Sequence, residues 1–168
     1  ADSNGTVHIW GADGTERATM SVNPDFSRQE HTDERNRTKS GFYGSASLGD
    51  LDGDGTLEVV AAGADRHLYA WHADGSPVSG FPVLLVDPAK VSGIDPVSHQ
   101  VTFADEGSTQ IGGELVATPA IADLTGDGRP EIIVGAQEQY DETVAVWPPL
   151  GLSGVSGNTR LYAVSPDG

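Results

Sequence analysis

Short apolar stretches, β-branched or alternating with polar residues, are separated along this chain by Gly, Asp, Asn and Pro. One alternating phrase occurs three times: Val7-His8-Ile9-Trp10, Leu68-Tyr69-Ala70-Trp71 and Leu161-Tyr162-Ala163-Val164. An Asp-Gly pair follows each, the strongest short signal for a tight turn between antiparallel strands. Trp10, Trp71 and Val164 hold equivalent places, and core packing is their expected role. Glu16–Val22 reads as the strand that pairs with the first phrase. Around the second, Tyr43–Leu48 reads as an incoming strand, Val59–Ala62 as a buried one and Gly80–Leu85 as a fourth. Pro82 suits an edge strand, where a missing amide hydrogen costs little. A further unit begins at Val116–Ile121 and Ile132–Val134. Residues 23–42, 86–115 and 137–159 lack period and read as loops or insertions, with a small hairpin possible near Val101–Phe103.

Two of the turns carry chemistry. Asp50-Leu51-Asp52-Gly53-Asp54-Gly55-Thr56-Leu57-Glu58 places three carboxylates at alternate positions and a fourth at the ninth. On a sharply bent loop these oxygens can face one centre, a hard oxygen-only shell of the kind calcium prefers. Gly55 permits the bend. A helix-flanked calcium hand is a poor reading, because that motif needs its bidentate acid at position twelve, here Ala61, and because a strand follows. The alternative is a plain solvated turn, since Asp and Gly are ordinary turn residues. Asp123-Leu124-Thr125-Gly126-Asp127-Gly128-Arg129-Pro130-Glu131 repeats the frame and is again followed by a strand. Thr125 removes one carboxylate, so this second site is expected to bind more weakly.

The 168 residues contain 22 Gly, 10 Pro and no Cys, with a formal charge of −16. Abundant turn residues between short strands indicate an all-β protein. The acidity argues against nucleic acid and against an anionic membrane surface. Lack of cysteine rules out a disulfide framework. No apolar run approaches a membrane span, so no membrane insertion is expected, and the N-terminus is not signal-like.

The ordered set Ser47-Leu48-Gly49-Asp50-Leu51-Asp52-Gly53-Asp54-Gly55, Glu58-Val59-Val60, Leu68-Tyr69-Ala70-Trp71, Asp74-Gly75 and Gly80-Phe81-Pro82-Val83 resembles the FG-GAP or VCBS repeat of integrin-α-like proteins. The likeness covers Gly44–Val83, then Thr118–Gly135 and Arg160–Gly168. It implies part of a β-propeller with four-stranded antiparallel blades and calcium in the loop between the first two strands of a blade. By position, the ligands would be Asp50, Asp52, Asp54 and Glu58 with the Thr56 carbonyl. A second set would be Asp123, Thr125, Asp127 and Glu131 with the Arg129 carbonyl. Residues 1–22 would end one blade, 43–85 form a complete one and 116–168 give most of the next. Such a piece would be completed by the remaining blades of a longer chain or by complementary copies.

Catalytic motifs are not found: there is no Gly-x-Ser-x-Gly elbow, His-Glu-x-x-His pair or phosphate-binding Gly-Lys-Ser/Thr loop. The five histidines are scattered. The expectation is a calcium-stabilised extracellular or cell-surface module for adhesion or ligand binding, non-catalytic by itself. Its loops would meet a protein or carbohydrate, with Tyr140 and Trp147 either exposed for stacking or packed beneath their own loop. The alternative is the propeller portion of a secreted enzyme, such as a polysaccharide lyase or hydrolase, with its active site elsewhere. Asn4-Gly5-Thr6 and Asn36-Arg37-Thr38 are glycosylation sequons, relevant only in a eukaryotic secretory host.

Overall fold

Residues 1–27, 34–104, 109–140 and 157–168 are described in the structure, a computed structural model. Among them the regular elements are β-strands and three short 3-10 turns, Pro24–Ser27, Glu34–Asn36 and Pro88–Lys90. Strands β1 (Thr6–Trp10) and β2 (Glu16–Ser21) pair antiparallel, with Val7 opposite Met20. The Asp13-Gly14 turn between them is of the expected kind, with Gly14 at φ 79°. Then β3 (Ser47–Gly49), β4 (Glu58–Ala62), β5 (His67–Trp71) and β6 (Val83–Leu84) form a four-stranded antiparallel sheet in sequence order. Both outer strands are shorter than the sequence suggests, because ladder pairing covers only Ser47–Gly49 and Val83–Leu84.

A second four-stranded sheet departs more from expectation. β7 (Val91–Ile94) and β8 (Val101–Phe103) make the anticipated small hairpin. β9 (Thr109–Glu114), β10 (Ala120–Ala122), β11 (Glu131–Tyr140) and β12 (Gly157–Val164) then assemble around β11. β12 pairs with β11 from Ile132 to Tyr140. β10 and β9 pair with the start and end of β11 respectively, so they lie end to end along its other edge. The ranges 86–115 and 137–159, expected as loops, therefore contribute strand that lengthens one end of the sheet, around Gln137–Tyr140. Gln137-Glu138-Gln139 lacks the apolar signature of a strand, which is why periodicity stops at Val134. Trp147 and the rest of 141–156 lie outside the described residues.

The sheets stack face on face, and period-two alternation sorts the side chains. Val59, Ala61, Tyr69 and Trp71 point toward Val7, Met20 and Val22 of the first hairpin. Val60, Ala62, Leu68 and Ala70 point the other way, onto Ile132, Val134, Ala136 and Val164. The middle sheet is thus buried on both sides, and every residue of β4 and β5 is buried. Tyr69 stacks on Trp71 at 5.3 Å, and Phe42 meets both rings edge-on. Trp10, expected in the core by its equivalence to Trp71, is instead 60% exposed. Trp71 lies against the hairpin; the corresponding face of the hairpin has no sheet over it among the described residues.

Residues 23–42 were expected to be a loop or insertion, and their described part is anchored by buried contacts. Phe26 stacks on His67 and His99, at 4.0 and 4.4 Å between ring centres. Asn36 is buried; its amide donates to the Val101 carbonyl (2.8 Å) and its oxygen accepts from the Val101 N–H (2.9 Å). These isolated anchors carry no periodic signal. Tyr140 is likewise buried, against Val101 and Phe103, which settles it as a packing residue. The buried Glu138 carboxylate accepts from the Tyr140 and Tyr162 hydroxyls and from the Asp87 N–H (2.9 Å). Both phenols are consequently pushed above their ordinary range, chiefly by burial and then by that carboxylate.

Candidate metal centre

The β3–β4 connection folds around its own acids. Asp50 accepts from the Gly53 N–H (2.7 Å) through one oxygen and from the Gly55 N–H (3.0 Å) through the other. Asp52 accepts from the Asp54 N–H (3.1 Å), and Asp54 from both the N–H (2.7 Å) and the hydroxyl of Thr56. Gly53 and Gly55 sit at φ 80° and 87°, left-handed backbone that side chains disfavour. Aligned N–H groups draw negative charge into the bend. The Thr56 hydroxyl and then its amide hold the exposed Asp54 carboxyl below the ordinary carboxylate value. Glu58, at the start of β4, is fully buried; its Oε2 accepts from the Leu51 N–H at 2.8 Å.

The acids converge. Oxygens of Asp50, Asp52 and Asp54 lie within 4.8 Å of one another, and Asp52, Glu58 and His72 form a second such group. Either set could hold a metal ion. The donors are mostly carboxylate on a solvent-facing bend, which fits a hard divalent cation. His72 was not singled out by the sequence reading, yet the signal was available. Once Val59 pairs with Trp71 across β4–β5, residue 72 must fall opposite residue 58.

The β10–β11 connection copies the backbone but not the convergence. Asp123 accepts from the Gly126 (2.6 Å) and Gly128 (2.9 Å) N–H groups, and Asp127 from the Arg129 N–H (2.9 Å). Gly126 and Gly128 repeat the positive φ values, 76° and 88°. Glu131 accepts from the Leu124 N–H (2.7 Å) and the Thr125 hydroxyl (3.4 Å). Among the described residues no triad of acids or histidines gathers here as in the first loop. The Arg129 side chain turns away to a bidentate pair with Asp167, at 2.6 and 2.9 Å. That pairing pushes the Arg129 pKa up and the Asp167 pKa down.

Two antiparallel sheets stacked face to face, with acid- and glycine-rich bends between β3 and β4 and between β10 and β11, define a blade-repeat protein of the propeller type. Residues 50–134, half of the chain, match the family model described as FG-GAP-like repeat, and the chain belongs to that family. The match spans both acidic bends and strands β4 to β10, and ends inside β11. Comparison with curated proteins and with solved structures finds no match.

Proposed function

We propose that this chain is a calcium-stabilised β-propeller module of an extracellular or cell-surface protein, serving adhesion or ligand binding. The carrying observation is the convergence of Asp50, Asp52 and Asp54 on a bend whose backbone N–H groups already pin those carboxylates. Their side chains, Glu58 and the Thr56 carbonyl supply the stronger site. Asp123, Thr125, Asp127, Glu131 and the Arg129 carbonyl supply a weaker one. Bound calcium contributes positive charge that offsets mutual repulsion of the acids. The chain's part is to hold them on a loop that joins two buried strands. The open face of the β9–β12 sheet, with Leu161 76% exposed, supports packing against a further blade or a complementary copy. Protein or carbohydrate partners would meet the loops at the blade ends.

A thermal melt in 1 mM calcium and then in excess chelator tests this reading. Sites of extracellular affinity, with Kd of ~10⁻⁴ M, each add about 1.4 kcal/mol at that concentration. The expected result is a higher midpoint with calcium, abolished by Asp52→Ala with Asp54→Ala. An unchanged, cooperative melt would reduce the bends to ordinary turns.

A further inference from the structure

We infer that the free edge of β7 takes an extended peptide segment of a partner protein as an added strand. The inference rests on the ligand-binding part of the proposed function, not on calcium. A groove of about 450 Å³ is lined by Leu84, Val86 and Pro88 and by all four residues of β7, Val91–Ile94. One face of a strand presents every second residue. Contact with four in succession places the groove along the edge of β7.

The two edges of the β7–β8 hairpin differ. That of β8 is closed: the Asn36 amide donates to the Val101 carbonyl (2.8 Å), and its oxygen accepts from the Val101 N–H (2.9 Å). These are the two bonds a further strand would make, and folded proteins commonly cover exposed edges. Val101 lies opposite Ile94 in the ladder. Both main-chain groups of Val101 point away from β7, so the pair is of the non-hydrogen-bonded kind. The N–H and carbonyl of Ile94 therefore point away from β8. The neighbouring pair agrees, with the Asp95 N–H donating to the Gln100 carbonyl at 2.9 Å. Among the described residues no backbone group beyond the hairpin bonds to Ile94. The border at β6 has the same character. β6 ends the middle sheet, and the Leu85 N–H donates inward to the Arg66 carbonyl (2.9 Å), so Leu84 turns its main-chain groups outward.

This unpaired main chain selects the occupant. A compact apolar molecule would fill the groove and leave those groups to water, whereas an extended peptide meets both the apolar walls and the open edge. Leu84, Val86, Val91 and Ile94, the last 49% exposed, call for apolar side chains at alternate positions of the segment. β7 has four residues and a bulge between Val91 and Gly93, which limits the added strand to a short run. Charge sets its flank. The chain carries −16, and exposed Asp95 adjoins Ile94, so a Lys or Arg at that end of the segment complements the site. At the other end Lys90 is drawn over the Tyr140 ring, 5.3 Å from its centre.

A fluorescently labelled peptide, Lys-Val-Thr-Val-Thr-Val-Lys, is titrated with the protein and followed by anisotropy. The expected result is saturable binding, weakened when Glu replaces both Lys. Two further peptides carry methyl groups on one or the other alternate set of main-chain nitrogens. An added strand bonds through one set only, so one peptide should lose at least about ten-fold in affinity while the other keeps it. Ile94→Pro removes the outward N–H but no bond of the hairpin and should weaken binding about ten-fold, with Ile94→Val within about three-fold. If melts show Ile94→Pro unfolded, the methylated pair carries the test. Absence of saturable binding overturns the inference and leaves any calcium-dependent rise in melting standing. Equal binding of both methylated peptides also overturns it, as capture by apolar contact without strand pairing. So does a dimer in sedimentation that Ile94→Pro abolishes, which would give the edge to a second copy.

Discussion

At the scale of single residues, the neighbours that matter come from strand register as much as from sequence spacing. The four acids of the first bend were legible because their alternation is local. His72 reaches Glu58 only through the β4–β5 pairing. His99 is similarly unreadable in the sequence. Its Nδ1 lies 2.8 Å from the His67 Nε2, and the Nδ1 of His67 lies 2.8 Å from the Asp65 carbonyl. A carbonyl only accepts, so the Nδ1–H of His67 donates to it. Burial, and secondarily His67, lowers the His99 pKa, while Asp95 opposes the shift. Its neutral form is therefore favoured by folding. Stability is retained above the ordinary value of 6.5, declines as pH falls below it, and levels off beneath the folded pKa. Thermal melts between pH 7.5 and 5.5 should show that decline, and His99→Gln should flatten it.

At the scale of elements, repeat-equivalent positions experience different surroundings, and this makes a controlled comparison. Leu68 and Leu161 occupy the same place in their phrases, yet Leu68 is 0% exposed and Leu161 is not covered. Leu68→Ala should cost about 2–5 kcal/mol, the usual range for emptying a packed core site. Leu161→Ala should change stability by no more than about 0.5 kcal/mol. Urea unfolding of both variants reads the difference directly. Gly80 offers a second check: its φ is 90° and a Cβ would strike the Asp167 carbonyl, so Gly80→Ala should loosen the contact between the two large sheets. The inner strands were legible because β4 and β5 are apolar and bounded by turns. β9 and the outer half of β11 were not, since Thr109–Glu114 and Gln137–Tyr140 are stabilised by pairing with each other and lack an apolar pattern of their own.

At the scale of the molecule, three stacked sheets share two cores, and the middle sheet belongs to both. Its alternation gives the stacking direction: Val59, Ala61, Tyr69 and Trp71 face the hairpin, and Val60, Ala62, Leu68 and Ala70 face the longer sheet. What the sequence hid is the brace outside the blades. Phe26, Asn36 and Tyr140 fasten residues 23–42 and the β7–β8 hairpin to this stack through isolated contacts. The brace constrains how the protein should be produced. Asn36 heads a glycosylation sequon, yet its side-chain nitrogen is the donor that holds the Val101 carbonyl. Oligosaccharide attached there during synthesis would occupy that nitrogen before the chain had folded around it. Material from a glycosylating host should therefore carry sugar at the exposed Asn4, and any glycoform modified at Asn36 should be retained or degraded by cellular quality control. Glycopeptide mass spectrometry of secreted and retained pools, beside an Asn36→Gln chain, would reveal that sorting.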